Sequence, residues 1–171
     1  MNDEVLDDTG NLDDTGDLVS DKQQSIEQAA REARIAYEAV QGHYEAFSSK
    51  LANVLEECLS EHDITVHSVT HRAKDAESFQ RKAAQLSPDN PTLPKYRNPM
   101  EDITDKAGVR IITYFRSTLN SVSQILAEQF EIVEKIAKIS SEPDRLGYQS
   151  DHYLIKYSED RTMLPEYRRF S

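Results

Sequence analysis

The chain has 171 residues, enough for one domain with a buried core, and its 37 % apolar and 30 % charged content excludes a disordered polymer. The formal charge is -11, yet residues 1–21 hold eight acids and no Lys or Arg, leaving 23 acids against 20 bases in the remainder. Broad nucleic-acid binding is poorly supported, because even residues 71–110 carry eight Lys or Arg against six acids, too balanced to track a phosphate backbone.

One cysteine, Cys58, leaves no partner for an intramolecular disulfide and fits a reducing compartment. No apolar run has the length of a membrane span, and the N-terminus is acidic where a secretory signal is basic, so the chain reads as cytoplasmic. Residues 1–21, in which LDDTG at 6–10 recurs at 12–16, predict a disordered acidic tail, and 22–171 the single domain. From Ser25 to Leu59, apolar residues fall at Ala33, Tyr37, Val40, Tyr44, Phe47, Leu51, Val54 and Cys58, in steps of three and four. That is one face of a long amphipathic helix. Packing on a sheet is its expected use; a coiled-coil seam making a homo-oligomer is the alternative. Cys58 inside this stripe reads as packing rather than as a nucleophile.

β-Branched alternation predicts a strand over Ile64–His71, and Asp75 is placed to cap a helix running to Leu86. Residues 87–99 hold four of the six prolines and predict a surface loop. MEDITDKAG reads as a short helix stopped by Gly108, VRIITYF (109–115) as a buried strand, and Ser117 as the cap of a helix ending near Phe130. Strands over Glu131–Ile139 and Asp151–Tyr157 complete an α+β domain with a mixed β-sheet flanked by helices.

Three stretches carry chemistry. Arg72 and Lys74 leave a strand two residues apart, and Lys74, Ser78 and Lys82 step by four along the next helix. Such a row forms either a phosphate-binding wall at a helix N-terminus or a solvated face neutralised by Asp75 and Glu77. Asp105, just before the strand carrying Arg110, suits Mg²⁺ held against substrate phosphates, or an ordinary surface acid. In GYQSDH, Tyr148, Ser150 and His152 share a strand face after Gly147, where a ring could stack on a nucleobase or simply close the core.

Together, R-x-K-x-x-x-S-x-x-x-K (Arg72, Lys74, Ser78, Lys82), D-x-x-G-V-R-I (Asp105–Ile111) and GYQS-x-H (Gly147–His152) resemble the RelA/SpoT alarmone synthetase family over about residues 45–171. The resemblance implies a nucleotidyltransferase-like synthetase domain. It implies a pyrophosphokinase moving the β,γ-pyrophosphate of ATP to the 3′-hydroxyl of GTP or GDP. By position, Arg72, Lys74, Ser78 and Lys82 would bind ATP, Asp105 would hold Mg²⁺, and Arg72, Lys74 and Asp105 would be the catalytic set. Tyr148, Ser150 and His152 would bind the acceptor nucleotide.

Two departures qualify it. The family's E-x-Q-x-R-T strand, whose glutamate helps activate the 3′-hydroxyl, is not found before the chain ends at LPEYRRFS, and Glu166 lies too early to replace it. The domain is therefore expected to be truncated at its C-terminus. The loop SSEPDRLGYQSDH also differs from the Lys-rich form that precedes Gly-Tyr in the family. This leaves as alternatives a toxin or phage-defence relative that acts on the tRNA 3′ end or on adenine nucleotides, and a non-catalytic nucleotide-binding module. No paired His-Asp hydrolase module precedes the domain, so alarmone hydrolysis is not expected.

Overall fold

A computed structural model describes residues 14–139 and 149–170. The expected long helix is α1 (Asp14–Glu61), followed by β1 (Ser68–Ala73), α2 (Ala76–Ala83), α3 (Pro99–Asp102) and β2 (Ala107–Ile112). Then come α4 (Arg116–Gln129), β3 (Glu131–Ile139), β4 (Gln149–Lys156), α5 (Glu159–Met163) and a 3-10 turn, Arg168–Phe170. Asp14–Asp21, read from sequence as part of the tail, belong to α1, and the rest of that tail lies outside the described residues. No helix among the described residues is long and apolar enough to cross a membrane.

The class is α+β, as expected. The pairing differs from a mixed sheet: among the described residues β1 pairs with β2 and β3 with β4, both antiparallel. Alternation reports which residues are extended; which edge each strand binds is decided by tertiary contacts that a period-two pattern does not encode. The chain divides into two units, the first taking α1 up to Gln41 with Lys74–Ile103, the second Gly42–Ala73 with Thr104 onward.

In the first unit the stripe of α1 meets α2 through Tyr37 and Phe79, both fully buried and stacked at 4.3 Å between centroids. Asp75 caps α2 as expected, its carboxylate accepting the Ser78 N–H at 2.8 Å. The hydroxyl and amide of Ser78 hold that carboxyl below its ordinary pKa. The helix stops at Ala83 rather than Leu86, because Leu86 bridges to Pro94 and the Lys95 N–H bonds the Gln85 carbonyl at 2.7 Å. The proline-rich loop is thereby folded back on the end of α2.

Gly42 lies exposed in mid-helix, and a Cβ there would meet nothing within 4 Å. Gly42→Ala is expected to raise the unfolding free energy by about 0.5–1 kcal/mol, from backbone entropy alone. A urea midpoint shift with an unchanged m-value is the check.

The second unit holds the larger core. Leu51, Val54, Leu55, Cys58 and Leu59 of α1 pack on Val122, Ile125 and Leu126 of α4, with Phe130 and Tyr157. Cys58 is packing, as expected: it is buried, and desolvation pushes its thiol pKa up, away from the reactive thiolate. Val40, placed on the stripe by its spacing, is instead 38 % exposed. Helix α1 ends where Asp63 turns left-handed (φ 55) and the Ile64 N–H reaches back to the Leu59 carbonyl at 2.9 Å.

Three local expectations are corrected. Gly108 does not stop a helix; α3 ends at Asp102, fully buried Ile103 takes extended backbone, and Gly108 sits within β2. The strand β2 is not buried: Val109 and Ile111 pack inward while Ile112 is 42 % exposed, and Phe115 beyond it is 71 % exposed. Ser117 does not cap α4, whose N-cap is Phe115 with no side-chain bond. The first strand also starts late, at Ser68, because Ile64 and Val66 serve the core before any ladder begins.

The C-terminal segment is fastened by Arg161. Its guanidinium carbon lies 5.4 Å from the Phe130 ring centroid, 5.9 Å from Tyr157 and 5.7 Å from Tyr167, and its Nη2 donates to Gln129 Oε1 at 2.7 Å. Beside it the Tyr157 hydroxyl is buried with no hydrogen-bond partner among the described residues, and burial, reinforced by Tyr167, pushes its pKa up to about 12.

A raised phenol pKa means the folded state binds this proton more tightly than the unfolded chain does. Its contribution is whole below about pH 10 and lost as the pH climbs toward 12. We expect ionisation of Tyr157 to cost about 1–2 kcal/mol of stability across that window. Tyr157→Phe removes an unsatisfied hydroxyl. It is expected to match or exceed the wild type by about 0.5–1 kcal/mol at pH 7 and to flatten the alkaline decline in urea titrations.

Candidate active site

The register of β1 and β2 places Arg72 opposite Gly108 and Thr70 opposite Arg110. Directly opposed residues share a face, so Thr70, Arg72, Gly108 and Arg110 form one side of this ladder. Val69, Val109 and Ile111 form the other and pack on the core. Arg72 and Arg110 are exposed, and a Cβ on Gly108 would meet nothing within 4 Å, so the face between the two guanidiniums is open. Asp105 is exposed in the turn two residues before β2, at the end of the ladder where Ala73 pairs with Ala107. In the second unit Arg72 and Arg110 therefore share one strand face, and Asp105 lies in the turn at the end of the same ladder.

Arg110 had no role in the sequence reading. Its alternation within VRII was the available signal, but that pattern acquires meaning only once the partner strand is known.

Lys74, Ser78 and Lys82 belong to the first unit. Ser78 and Lys82 lie on α2, whereas Lys74 precedes its first residue and sits in the extended link from β1. The Ser78 hydroxyl accepts from Arg81 Nη2 at 2.5 Å, and Lys82 Nζ lies 5.9 Å from the Tyr96 ring centroid. The backbone at Lys74 is tightly held: its carbonyl accepts from the Tyr37 hydroxyl at 2.8 Å and from Gln41 Nε2 at 3.0 Å.

The preceding Ala73 N–H donates to Glu45 Oε2 at 2.8 Å. Positions 37, 41 and 45 follow one another at four-residue spacing on α1. These anchors also escaped the sequence reading, since they act on backbone atoms and leave no trace in residue pattern.

On β4, Ser150 Oγ lies 3.3 Å from His152 Nε2, so the two share a face as the spacing requires. Tyr148 and Gly147, expected beside them, lie outside the described residues. The other face of β4 carries a separate polar cluster. There the Tyr153 hydroxyl bonds Ser123 Oγ, and Lys135 Nζ lies 3.3 Å from Ser123 Oγ and 3.5 Å from Asp151 Oδ2. A cavity of about 390 Å³ opens on that reverse side, lined by Arg116, Ser117, Leu119, Asn120 and Asp151. Arg72, Asp105 and His152 are not among its lining residues.

Among the described residues, no three His, Cys, Asp or Glu side chains converge as a metal cage. Asp105 therefore fits Mg²⁺ only in the manner usual for that ion beside phosphates, with one carboxylate, substrate oxygens and water completing the shell. Two guanidiniums over an open glycine, with a carboxylate at the same strand end, can bind and neutralise a polyphosphate.

A family model described as the region found in RelA / SpoT proteins matches residues 71–166, from the last residues of β1 to beyond α5. No curated protein and no solved structure matches the chain. The matched span exceeds half of the sequence and includes every motif quoted above, and on that basis the chain belongs to the RelA/SpoT family of alarmone synthetases.

Proposed function

We propose that this domain transfers the β,γ-pyrophosphate of ATP to the 3′-hydroxyl of GTP or GDP. The match to the RelA/SpoT family over residues 71–166 carries this reading. In it, the 3′-oxygen attacks the β-phosphorus of ATP, the bond from that phosphorus to the α,β-bridging oxygen breaks, and AMP leaves. The hydroxyl proton passes to solvent or to a base. Arg72 and Arg110, on one open strand face, neutralise the triphosphate, and Lys74, Ser78 and Lys82 line its oxygens. Within the first unit, the bonds from Tyr37 and Gln41 to the Lys74 carbonyl fix the backbone from which the Lys74 side chain springs. Asp105 would hold Mg²⁺, which the family generally uses and which supplies charge neutralisation and alignment of the phosphates. Tyr148 would stack on the guanine, with Ser150 and His152 contacting the acceptor nucleotide.

The test is incubation of the chain with γ-labelled ATP, Mg²⁺ and GTP, GDP or uncharged tRNA. Labelled guanosine penta- or tetraphosphate supports the proposal. Label appearing on tRNA alone would make the tRNA 3′ end the acceptor in place of guanosine nucleotide. Nucleotide binding without label in any product would reject transfer and leave a nucleotide-binding module.

A further inference from the structure

Within the second unit, one carboxylate of α1 holds both neighbours of Arg72. Glu45 Oε2 accepts the Ala73 N–H at 2.8 Å, and Glu45 Oε1 lies 3.4 Å from His71 Nδ1. His71 stands opposite Val109, on the inward side of the ladder, whereas Arg72 stands opposite Gly108 on the outward side. Ser48, fully buried one turn after Glu45, donates its hydroxyl to the Glu45 carbonyl at 3.0 Å and lies 3.5 Å from the same His71 nitrogen. With the Ser48 proton committed to that carbonyl, both neighbours of Nδ1 are acceptors, so Nδ1 carries the hydrogen and donates to them. The stretch of helix that supplies these groups is seated in the larger core by Phe47, Leu51 and Val54.

We propose that Glu45 is a positioning residue for Arg72: its carboxylate ties β1 at His71 and at Ala73, and so sets where the guanidinium between them meets the transferred phosphates. The role in transfer rests on the function proposed above; the tie does not. Glu45 is half-exposed, and an exposed ion pair adds little to folding, so orientation of the strand is its main effect. Orientation is also where the rate is sensitive, since misplacing a charge-neutralising group by about 1 Å costs about 10²-fold.

Amide hydrogen exchange, read by NMR on the full chain, tests the tie. The Ala73 N–H is expected to exchange about tenfold faster in Glu45→Ala than in the wild type. In Glu45→Gln, whose amide oxygen accepts at the same reach, it should stay close to the wild-type rate. Unchanged Ala73 exchange in Glu45→Ala overturns the tie. Kinetics with labelled ATP test the role. Glu45→Ala should lower kcat about 30-fold while KM for ATP stays within about threefold, because Arg110 still meets the triphosphate. Glu45→Gln should recover to within about fivefold of the wild type. In an Arg72→Ala background, Glu45→Ala should add less than about a threefold loss, since it acts through a group already removed. Glu45→Asp, one methylene short of both contacts, carries the same expectations should Glu45→Ala lose its fold. Equal losses with and without Arg72, or a loss confined to KM, overturn the positioning role and leave Glu45 as a structural contact. A wild-type chain that labels no acceptor removes the transfer reading and this role with it, while Ala73 exchange still decides the tie.

Discussion

Asp105→Asn is expected to lower pyrophosphate transfer about 10³-fold while leaving the fold intact. The loss corresponds to about 4 kcal/mol of transition-state stabilisation, the scale on which a metal-held polyphosphate site operates. The substitution is nearly isosteric, and Asp105 is exposed in a turn outside both the core and the β1–β2 ladder. Urea unfolding should therefore match the wild type within about 1 kcal/mol, the range of an exposed polar interaction. ATP binding measured without metal should persist, because Arg72 and Arg110 remain on their strand face. A variant retaining more than about a tenth of wild-type turnover at saturating Mg²⁺ would remove Asp105 from the metal-holding role.

The second large effect is on stability. Arg161→Ala is expected to destabilise the chain by about 2–4 kcal/mol, read as a urea midpoint shift. It removes a cation lying within 6 Å of three ring centroids and a charged hydrogen bond to Gln129, and it opens a void among Phe130, Tyr157 and Tyr167. One of its nitrogens, Nη1, is buried without a partner, which holds the net figure below the sum of the contacts. Arg161→Lys should recover less than half of the loss, since an ammonium cannot lie flat against several rings while reaching Gln129. A cost under about 1 kcal/mol for Arg161→Ala would mean that the C-terminal segment is held chiefly by Tyr157, Tyr167 and Phe170.

Much of the fold was legible in single residues. The three-and-four spacing of Tyr37, Leu51, Val54 and Cys58 placed the buried side of α1, Asp75 announced the start of α2, and the alternation of residues 131–139 gave β3 to its ends. What failed were signals with two meanings. Gly108 after a polar run suits a helix end as well as a strand with open space above it, and here the strand won because buried Ile103 had already terminated α3. Ser117 is a good cap by type, yet the extended backbone at Phe115 starts the helix two residues too early for it.

For the candidate site, short motifs nominated Arg72, Ser78, Lys82 and Asp105 because charge and spacing lie within one element or its edge. Arg110 was visible within a motif but without a role, and the anchors Tyr37, Gln41 and Glu45 were illegible, since these depend on which strand pairs with which and on backbone atoms far away in sequence.

The solitary thiol buried between α1 and α4 has a practical corollary. Chromogenic disulfide reagents should modify Cys58 only when the helices part, so its labelling rate under native conditions clocks the opening of the larger core. A ligand that clamps this unit would slow that clock, giving a measure of engagement that needs neither turnover nor an added probe.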